Sequence, residues 1–384
     1  MSTPSAQALR RQHRRCAAVL IALSAAGLLY EAGVLARTPA ATRAAWLDGS
    51  AGRALNRALT LPYRDNLNTA AAALRYRFAG DLGAQVQEGC PGWLFYSDGL
   101  RARAGARAAF RRRLELMHAV VQSLRAGGVD VLVLTVPDKA RVERYALCGL
   151  DQGDDMQQRW WRWQAGLAAE GAGVADVEAA LAAVSPAFFR TDVHWNRHGA
   201  AAAAALVAAA ARPLLRGGPA QQFSRQTGSA TQERMGDLLV LAGLAQAPPH
   251  WRPPADREVP ETIAALGSGG LLDEPAPPEV MVLGSSYSRR SNFAEALGMA
   301  LGRAVWNRSV DGGQFAGALH TALRERARWP ASVRLVVWEL PELALSLPLS
   351  EAEQSLLRDG GPRSDSVNAT PHSPSGAALA ASAP

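Results

Sequence analysis

Apolar residues along this chain alternate between a helical spacing and unbroken runs. From 101 to 126, Phe110, Leu114, Leu116, Met117, Val120, Val121 and Leu124 fall on one broad face, which predicts an amphipathic helix ended by Gly127-Gly128. Residues 129–136 are then a Val/Leu run interrupted by Asp130 and Thr135, the pattern of a strand covered on both faces. A second helix is predicted over 156–169, with Trp160, Trp161 and Trp163 close together as core or interface. A short strand at 174–177, a short helix at 178–184 and an Ala-rich helix at 199–215 follow. After Glu279 the alternation is regular: strand 280–283, helix 292–301, strand 304–307, helix 315–327, strand 333–339. Strands alternating with helices over short loops predict a three-layer α/β/α domain around a parallel sheet.

The flanks differ. Arg10, Arg11, Arg14 and Arg15 precede an apolar run at 16–29 that continues more weakly to 36. That is an export signal or signal anchor, close to the roughly 20 residues of a transmembrane helix, with the arginines kept cytoplasmic. An uncleaved anchor fits better than a cleaved peptide, because 32–38 offers a weak cleavage site. Residues 37–88 read as a helical or irregular membrane-proximal spacer, followed by a short aromatic strand at 92–96. Residues 217–278 are a Gly-, Pro-, Gln- and Ser-rich insertion with an ordered island at 235–241, and 349–384 a disordered tail. The domain proper then spans 89–348.

Composition adds little to the choice of chemistry. Of the 384 residues 48% are hydrophobic, much of that alanine, and the net charge of +7 is almost wholly arginine. The arginines are scattered and no nucleic-acid motif is present, so nucleic acid is not the expected partner. A basic face that meets anionic polysaccharide or phospholipid is compatible with the charge. Cys90 and Cys148 form no CxxC and no zinc pattern. In an oxidising compartment they can pair as a disulfide; otherwise they are two buried thiols.

The chemistry lies in two stretches. Phe189-Arg190-Thr191-Asp192-Val193-His194-Trp195-Asn196 places a carboxylate two residues from an imidazole. The carboxylate can orient the ring and stabilise its cation, and the ring can take a proton from a hydroxyl. Gly284-Ser285-Ser286-Tyr287-Ser288 follows a buried strand, at the end where open α/β sheets bind ligands. These stretches nominate a Ser286–His194–Asp192 triad, with a helix from near Asn292 directing its N-terminal dipole at a developing oxyanion. Other roles are open. The turn lacks the last glycine of a GxSxG elbow and could be a plain strand end. Asp192 and His194 with His198 could form part of a metal site, or Asp192 could cap the next helix.

Taken together, the two stretches resemble the AlgJ/AlgX-type alginate O-acetyltransferases of the SGNH-hydrolase-like families. Thr191-Asp192-Val193-His194-Trp195-Asn196 with Gly199-Ala200 looks like their TDTHWN…GA motif, and Gly284-Ser285-Ser286-Tyr287-Ser288 with Asn292-Phe293 like GTSYS…NF. Supporting matches keep the same order: 92–96, 136–139, 236–238, Gly312-Gly313 with Phe315, and 337–342. Ser285 stands where Thr is usual, and Leu343 where an Arg would end the last motif, so a salt bridge there is not expected.

The resemblance implies an SGNH-like fold and an O-acetyltransferase acting on an exported polysaccharide such as alginate. Ser286 would be nucleophile, His194 base and Asp192 its orienter, with no bound cofactor or metal. Cytosolic acetyl-CoA could not reach the site, so a partner membrane-bound O-acyltransferase (MBOAT-like) would supply acetyl. The place of action would be the periplasm, at the inner membrane. Lys139, Arg141, Tyr287 and Trp195 are candidates for substrate contact or scaffold, and Gly313 with the Ser286 N–H for the oxyanion hole. Two rival readings stand: an esterase that removes acetyl groups, and a non-catalytic polymer-binding assembly protein.

Overall fold

The computed structural model describes residues 6–38, 41–59, 63–174, 177–215, 217–218, 220–266 and 277–358. The chain divides into two compact units, one of residues 1–81 and 246–252, the other of the remainder. The first unit is helical: Ala6–Arg37, Arg43–Leu47, Ser50–Ala58 and Arg64–Ala79, with the Phe78 ring 6.2 Å from that of Trp251. Within the first helix, Ala17–Arg37 is long and apolar enough to cross a membrane. The expected spacer is shorter than 37–88, because 86–88 already form a strand of the second unit.

The second unit opens with an antiparallel pair, β1 (Val86–Glu88) and β2 (Leu94–Tyr96), and then enters the central sheet with β3 (Asp130–Val136). Residues 217–278, expected as a long loop with one ordered island, carry more structure. β4 (Phe223–Thr227), β5 (Gln232–Arg234), β6 (Asp256–Glu258) and β7 (Glu261–Ala265) form two antiparallel pairs, β4 with β7 and β5 with β6. The island is the helix Asp237–Leu241. β8 (Val280–Leu283), β9 (Val305–Asn307) and β10 (Leu335–Pro341) complete a four-stranded parallel sheet in the order β3-β10-β8-β9.

Successive side chains of a strand point to opposite faces, so a strand covered on both sides must be apolar at every position. Val131, Val133, Met281, Leu283, Val336 and Trp338 pack on one face, with Leu116 and Val120 of helix Ala106–Ala126 and Leu319 of helix Gly317–Arg324. Leu132, Leu134, Val280, Val282, Leu335 and Val337 pack on the other, with Ala203 and Val207 of helix Arg197–Ala211 and Leu297 of helix Phe293–Leu301. The expected three layers are present.

Two expectations fail. The strand placed at 174–177 is reduced to one parallel bridge between Val133 and Gly173; residues 175–176 lie outside the described residues, and Val177 already begins the helix Val177–Ala182. The disordered tail does not start at 349. Helix Glu351–Arg358 buries Leu356 in the core and pairs Glu353 with the buried Arg113 at 2.5 Å. Only 359–384 of the proposed tail lie outside the described residues.

Candidate active site

β8 ends at Leu283, and Gly284 and Ser285 turn the chain into a single helical turn, Ser286–Arg289. One buried carboxylate from the neighbouring strand holds this turn. Glu339 of β10 accepts the Ser285 N–H at 2.7 Å, the Ser285 hydroxyl at 2.9 Å and the Ser288 hydroxyl at 2.9 Å. Burial pushes the Glu339 pKa up, and these donors recover part of the cost of its charge. Residue 284 must be glycine, since a Cβ there would lie 2.4 Å from Glu339 Oε2. Ser285 Oγ accepts the Tyr287 N–H at 3.2 Å and so caps the turn. The longer helix expected near Asn292 does run Phe293–Leu301, but the N–H groups beside the nucleophile belong to the turn that Ser286 itself opens.

The acid–base stretch has a single antiparallel bridge, Phe188 with Trp195, and no longer ladder, so its other backbone polar groups need partners from elsewhere. Glu143 accepts the N–H groups of Ala187 and Phe188, and Asp256 those of Arg190 and Thr191 and the Thr191 hydroxyl. Lys139 Nζ donates to the carbonyls of Leu94, Arg190 and Asp192 at 2.6, 2.7 and 3.2 Å. At the far end Asn196, not Asp192, caps the following helix by accepting from His198 N and Gly199 N. Asp192 is therefore free for His194.

The loop and the turn meet across the sheet's carboxyl edge. His194 Nε2 lies 2.7 Å from Ser286 Oγ, and His194 Nδ1 lies 2.7 Å from Asp192 Oδ1. Asp192 and His194 are buried and Ser286 is half-buried, so the hydroxyl remains open to a substrate. Burial alone would raise the Asp192 pKa. The bonds and charge of His194, backed by Arg234, outweigh burial and hold the carboxyl well below the usual range.

Three residues outside the nominated triad close this arrangement, one of them, Asp237, within the 236–238 motif match. Arg234, at the end of β5, donates to Asp192 Oδ2 at 3.0 Å and lies 4.5 Å over the Phe189 ring. Asp237, first in its helix, brings Oδ2 to 3.5 Å from His194 Nδ1. Arg290, four residues past Ser286, donates to that same Asp237 oxygen at 2.7 Å. Gly236 permits the approach, because a Cβ there would lie 2.1 Å from the Thr191 carbonyl oxygen.

Asp192, His194 and Asp237 bring three ligand-type atoms within 4.8 Å of one another. Each carboxylate is engaged by a guanidinium and the imidazole is bonded at both nitrogens, so a cation would have to displace those partners. His198, weighed as a further ligand, is exposed and absent from that cluster.

The candidates for substrate contact are mostly scaffold. Arg141 is buried and holds Glu342 through Nε at 2.9 Å and Nη2 at 2.7 Å. Arg159 joins at 2.8 Å, so Glu342 finds two arginines although Leu343 supplies none. Burial beside Glu342 pushes Asp138 up to about 8, and Glu342 stays low because the two arginines outweigh its own burial. Trp195 is buried, donates to the Tyr287 carbonyl at 3.1 Å and stacks on Phe293. Tyr287 is buried too; its hydroxyl donates to the Val193 carbonyl at 2.7 Å and its ring lies 4.7 Å from that of His194. The Gly313 N–H donates to the Val310 carbonyl at 3.0 Å and is not available to an oxyanion. Lys139 is buried under the loop, with no access to substrate. Cys90 and Cys148 are disulfide-bonded, with Cα atoms 4.9 Å apart.

Chemically, the arrangement is a hydroxyl with a base at hydrogen-bond distance and a charged orienter behind it, which suits acyl transfer through a covalent serine ester. Residues 86–342 match the family model described as an SGNH hydrolase-like domain of the acetyltransferase AlgX. The chain is 31% identical over 293 residues to the "Probable alginate O-acetylase AlgJ" of Pseudomonas putida, covering 72% of this chain and 74% of that protein. The Azotobacter vinelandii protein of the same name is 26% identical, covering 73% and 75%. The solved O-acetyltransferase domain of Pseudomonas putida AlgJ superposes with a TM-score of 0.61 at 27% identity, over 72% of this chain and 98% of that domain.

Proposed function

Because the chain belongs to the AlgX-type family of SGNH hydrolase-like acetyltransferases, we propose that it acetylates hydroxyls of an exported, alginate-like polysaccharide through an acetyl-Ser286 intermediate. The observation that carries this reading is the unbroken chain of contacts Ser286 Oγ, His194 and Asp192, at 2.7 Å each.

His194 Nε2 takes the Ser286 proton as Oγ bonds to the acetyl carbonyl carbon, whose π pair moves to oxygen. The oxyanion collapses, the bond to the donor's leaving group breaks, and the imidazolium returns the proton to that group. A sugar hydroxyl then gives its proton to His194, attacks the acetyl carbon and releases Ser286, which is reprotonated. Asp192 stays ionised throughout and stabilises the imidazolium.

The oxyanion needs donors already in place. The Ser286 N–H has no acceptor among the described residues. Ser309 supplies the second donor in this reading. Its hydroxyl is buried with no partner among the described residues, two residues past Asn307, whose side chain donates to the Ser288 carbonyl. The acceptor is the polymer, and the acetyl donor is a partner membrane-bound O-acyltransferase. The periplasmic side of the inner membrane is the setting, supported by the membrane-length helix Ala17–Arg37 and by a disulfide of the kind that persists in oxidising compartments.

The test is intact-mass analysis after incubation with 4-nitrophenyl acetate. Wild type should gain one acetyl group and Ser286→Ala none. Alginate oligosaccharides should then discharge the adduct into acetylated sugar faster than water does. Discharge to water alone would establish the esterase. No adduct in the wild type would remove the serine mechanism.

A further inference from the structure

His194 is surrounded by more charge than a triad requires. Its own loop supplies Asp192 at Nδ1, with Arg234 behind that carboxylate and Lys139 on the Asp192 carbonyl. The nucleophile turn supplies Ser286 at Nε2 and the Tyr287 ring against its face. Helix Asp237–Leu241 then adds a second carboxylate, 3.5 Å from Nδ1, and the residue after the nucleophile turn adds Arg290, whose Nη1 is 3.4 Å from Nδ1.

Neither of these last two contacts is a hydrogen bond to the ring. Nδ1 carries one hydrogen, which Asp192 accepts at 2.7 Å, so it has no lone pair left for Arg290 Nη1, which already donates to Asp237 at 2.7 Å. What remains is charge at short range: a carboxylate that favours the imidazolium and a guanidinium that disfavours it.

We propose that Asp237 and Arg290 are a positioning pair whose opposed charges, 3.5 and 3.4 Å from His194 Nδ1, act on His194 as it takes and returns the Ser286 proton. The proposal rests on the reading of His194 as base to Ser286. Asp237 without its partner would favour the imidazolium, which cannot deprotonate the serine. Arg290 without its partner would weaken the base needed to carry the proton through the tetrahedral intermediate. The pair also ties the 217–278 insertion to the nucleophile turn, so the insertion contributes to catalysis without touching substrate.

The test measures the rate of acetyl-adduct formation with 4-nitrophenyl acetate between pH 5 and 9, using the full chain in detergent. The acid limb should move down by about half to one pH unit in Asp237→Asn and up by a similar amount in Arg290→Gln, since the side chains are 38% and 34% exposed and partly screened. The double variant should return to the wild-type position, and Arg290→Lys should stay there. A purely structural pair would lower the rate in every variant and leave the limb in place. That result, or both single variants moving the limb in one direction, overturns the proposal. If Arg290→Gln does not fold, as judged by near-UV circular dichroism, the downward shift in Asp237→Asn and the fixed limb in Arg290→Lys decide it. A wild type with no Ser286 adduct would instead overturn the nucleophile reading itself, so the two failures are distinguishable.

Discussion

The two halves of the site are held in place by different means. The nucleophile turn leaves the end of a sheet strand, so the ladder between β8 and β10 already places it, and one carboxylate, Glu339, settles its donors. The acid–base loop has no ladder. Its N–H groups go to Glu143 and Asp256, its carbonyls to Lys139, and the outer oxygen of its acid to Arg234. Two of those four, Arg234 and Asp256, come from the insertion between the halves. A strand end inherits its position from the sheet. An irregular loop must be positioned by buried charges, and those charges also tune the chemistry.

The largest effect should fall on the base half. Asp192→Asn removes an ionised acceptor and offers His194 an amide that favours the wrong tautomer. Adduct formation at neutral pH should fall by about 10⁴-fold. Glu339→Gln should cost the nucleophile half less, roughly 100-fold, the order expected when a reacting group is displaced by about an ångström. A glutamine keeps one acceptor oxygen for the Ser285 N–H, and the serine hydroxyls can rotate to meet its amide. Measured side by side as single-turnover rates, a larger loss in Glu339→Gln than in Asp192→Asn would invert the comparison.

Much of the nucleophile half was legible because its causes are local. The apolar run at 280–283 predicts a strand, and small residues after it predict an exposed turn. The sheet order was not legible, because β10, last in sequence, lies between β3 and β8, and no local pattern records a non-local pairing. The DxH spacing nominated His194, yet the residues that hold its loop were missed. Arg234, Asp256 and Glu143 stand 42, 65 and 44 or more positions from the groups they bind, with no periodicity to connect them. Two signals were available. Glu339 interrupts an otherwise apolar strand, which in a doubly covered sheet demands a buried partner. Lys139 is the single lysine in a chain whose other basic residues of the Lys/Arg class are all arginine. An ammonium is compact and can donate to three converging carbonyls; a planar guanidinium cannot, which accounts for the exception.

Lys139 also gives the comparison its finest test, because its effect is a slope with pH. Burial among the Trp93 and Phe95 rings lowers its pKa to about 7, against the pull of Asp256, Asp192 and Glu143. Three carbonyls and the nearby carboxylates favour the ammonium, and burial, which favours the amine, outweighs them. The unfolded chain keeps this proton until about pH 10.4, so between 7 and 10.4 it binds more protons than the folded state. Stability contributed by this site therefore rises with pH across that window, by up to about 5 kcal/mol at 1.36 kcal/mol per unit, and is flat below it. Lys139→Met abolishes the slope. Near pH 7, where about half the folded molecules have already released the proton, its effect on adduct formation should be the mildest of the three substitutions. Urea midpoints for wild type and Lys139→Met at pH 6, 8 and 9.5 should diverge in favour of the wild type as pH rises. Parallel curves would mean that the ammonium persists in the fold and that the base half is pinned by a permanent charge, as the nucleophile half is pinned by Glu339.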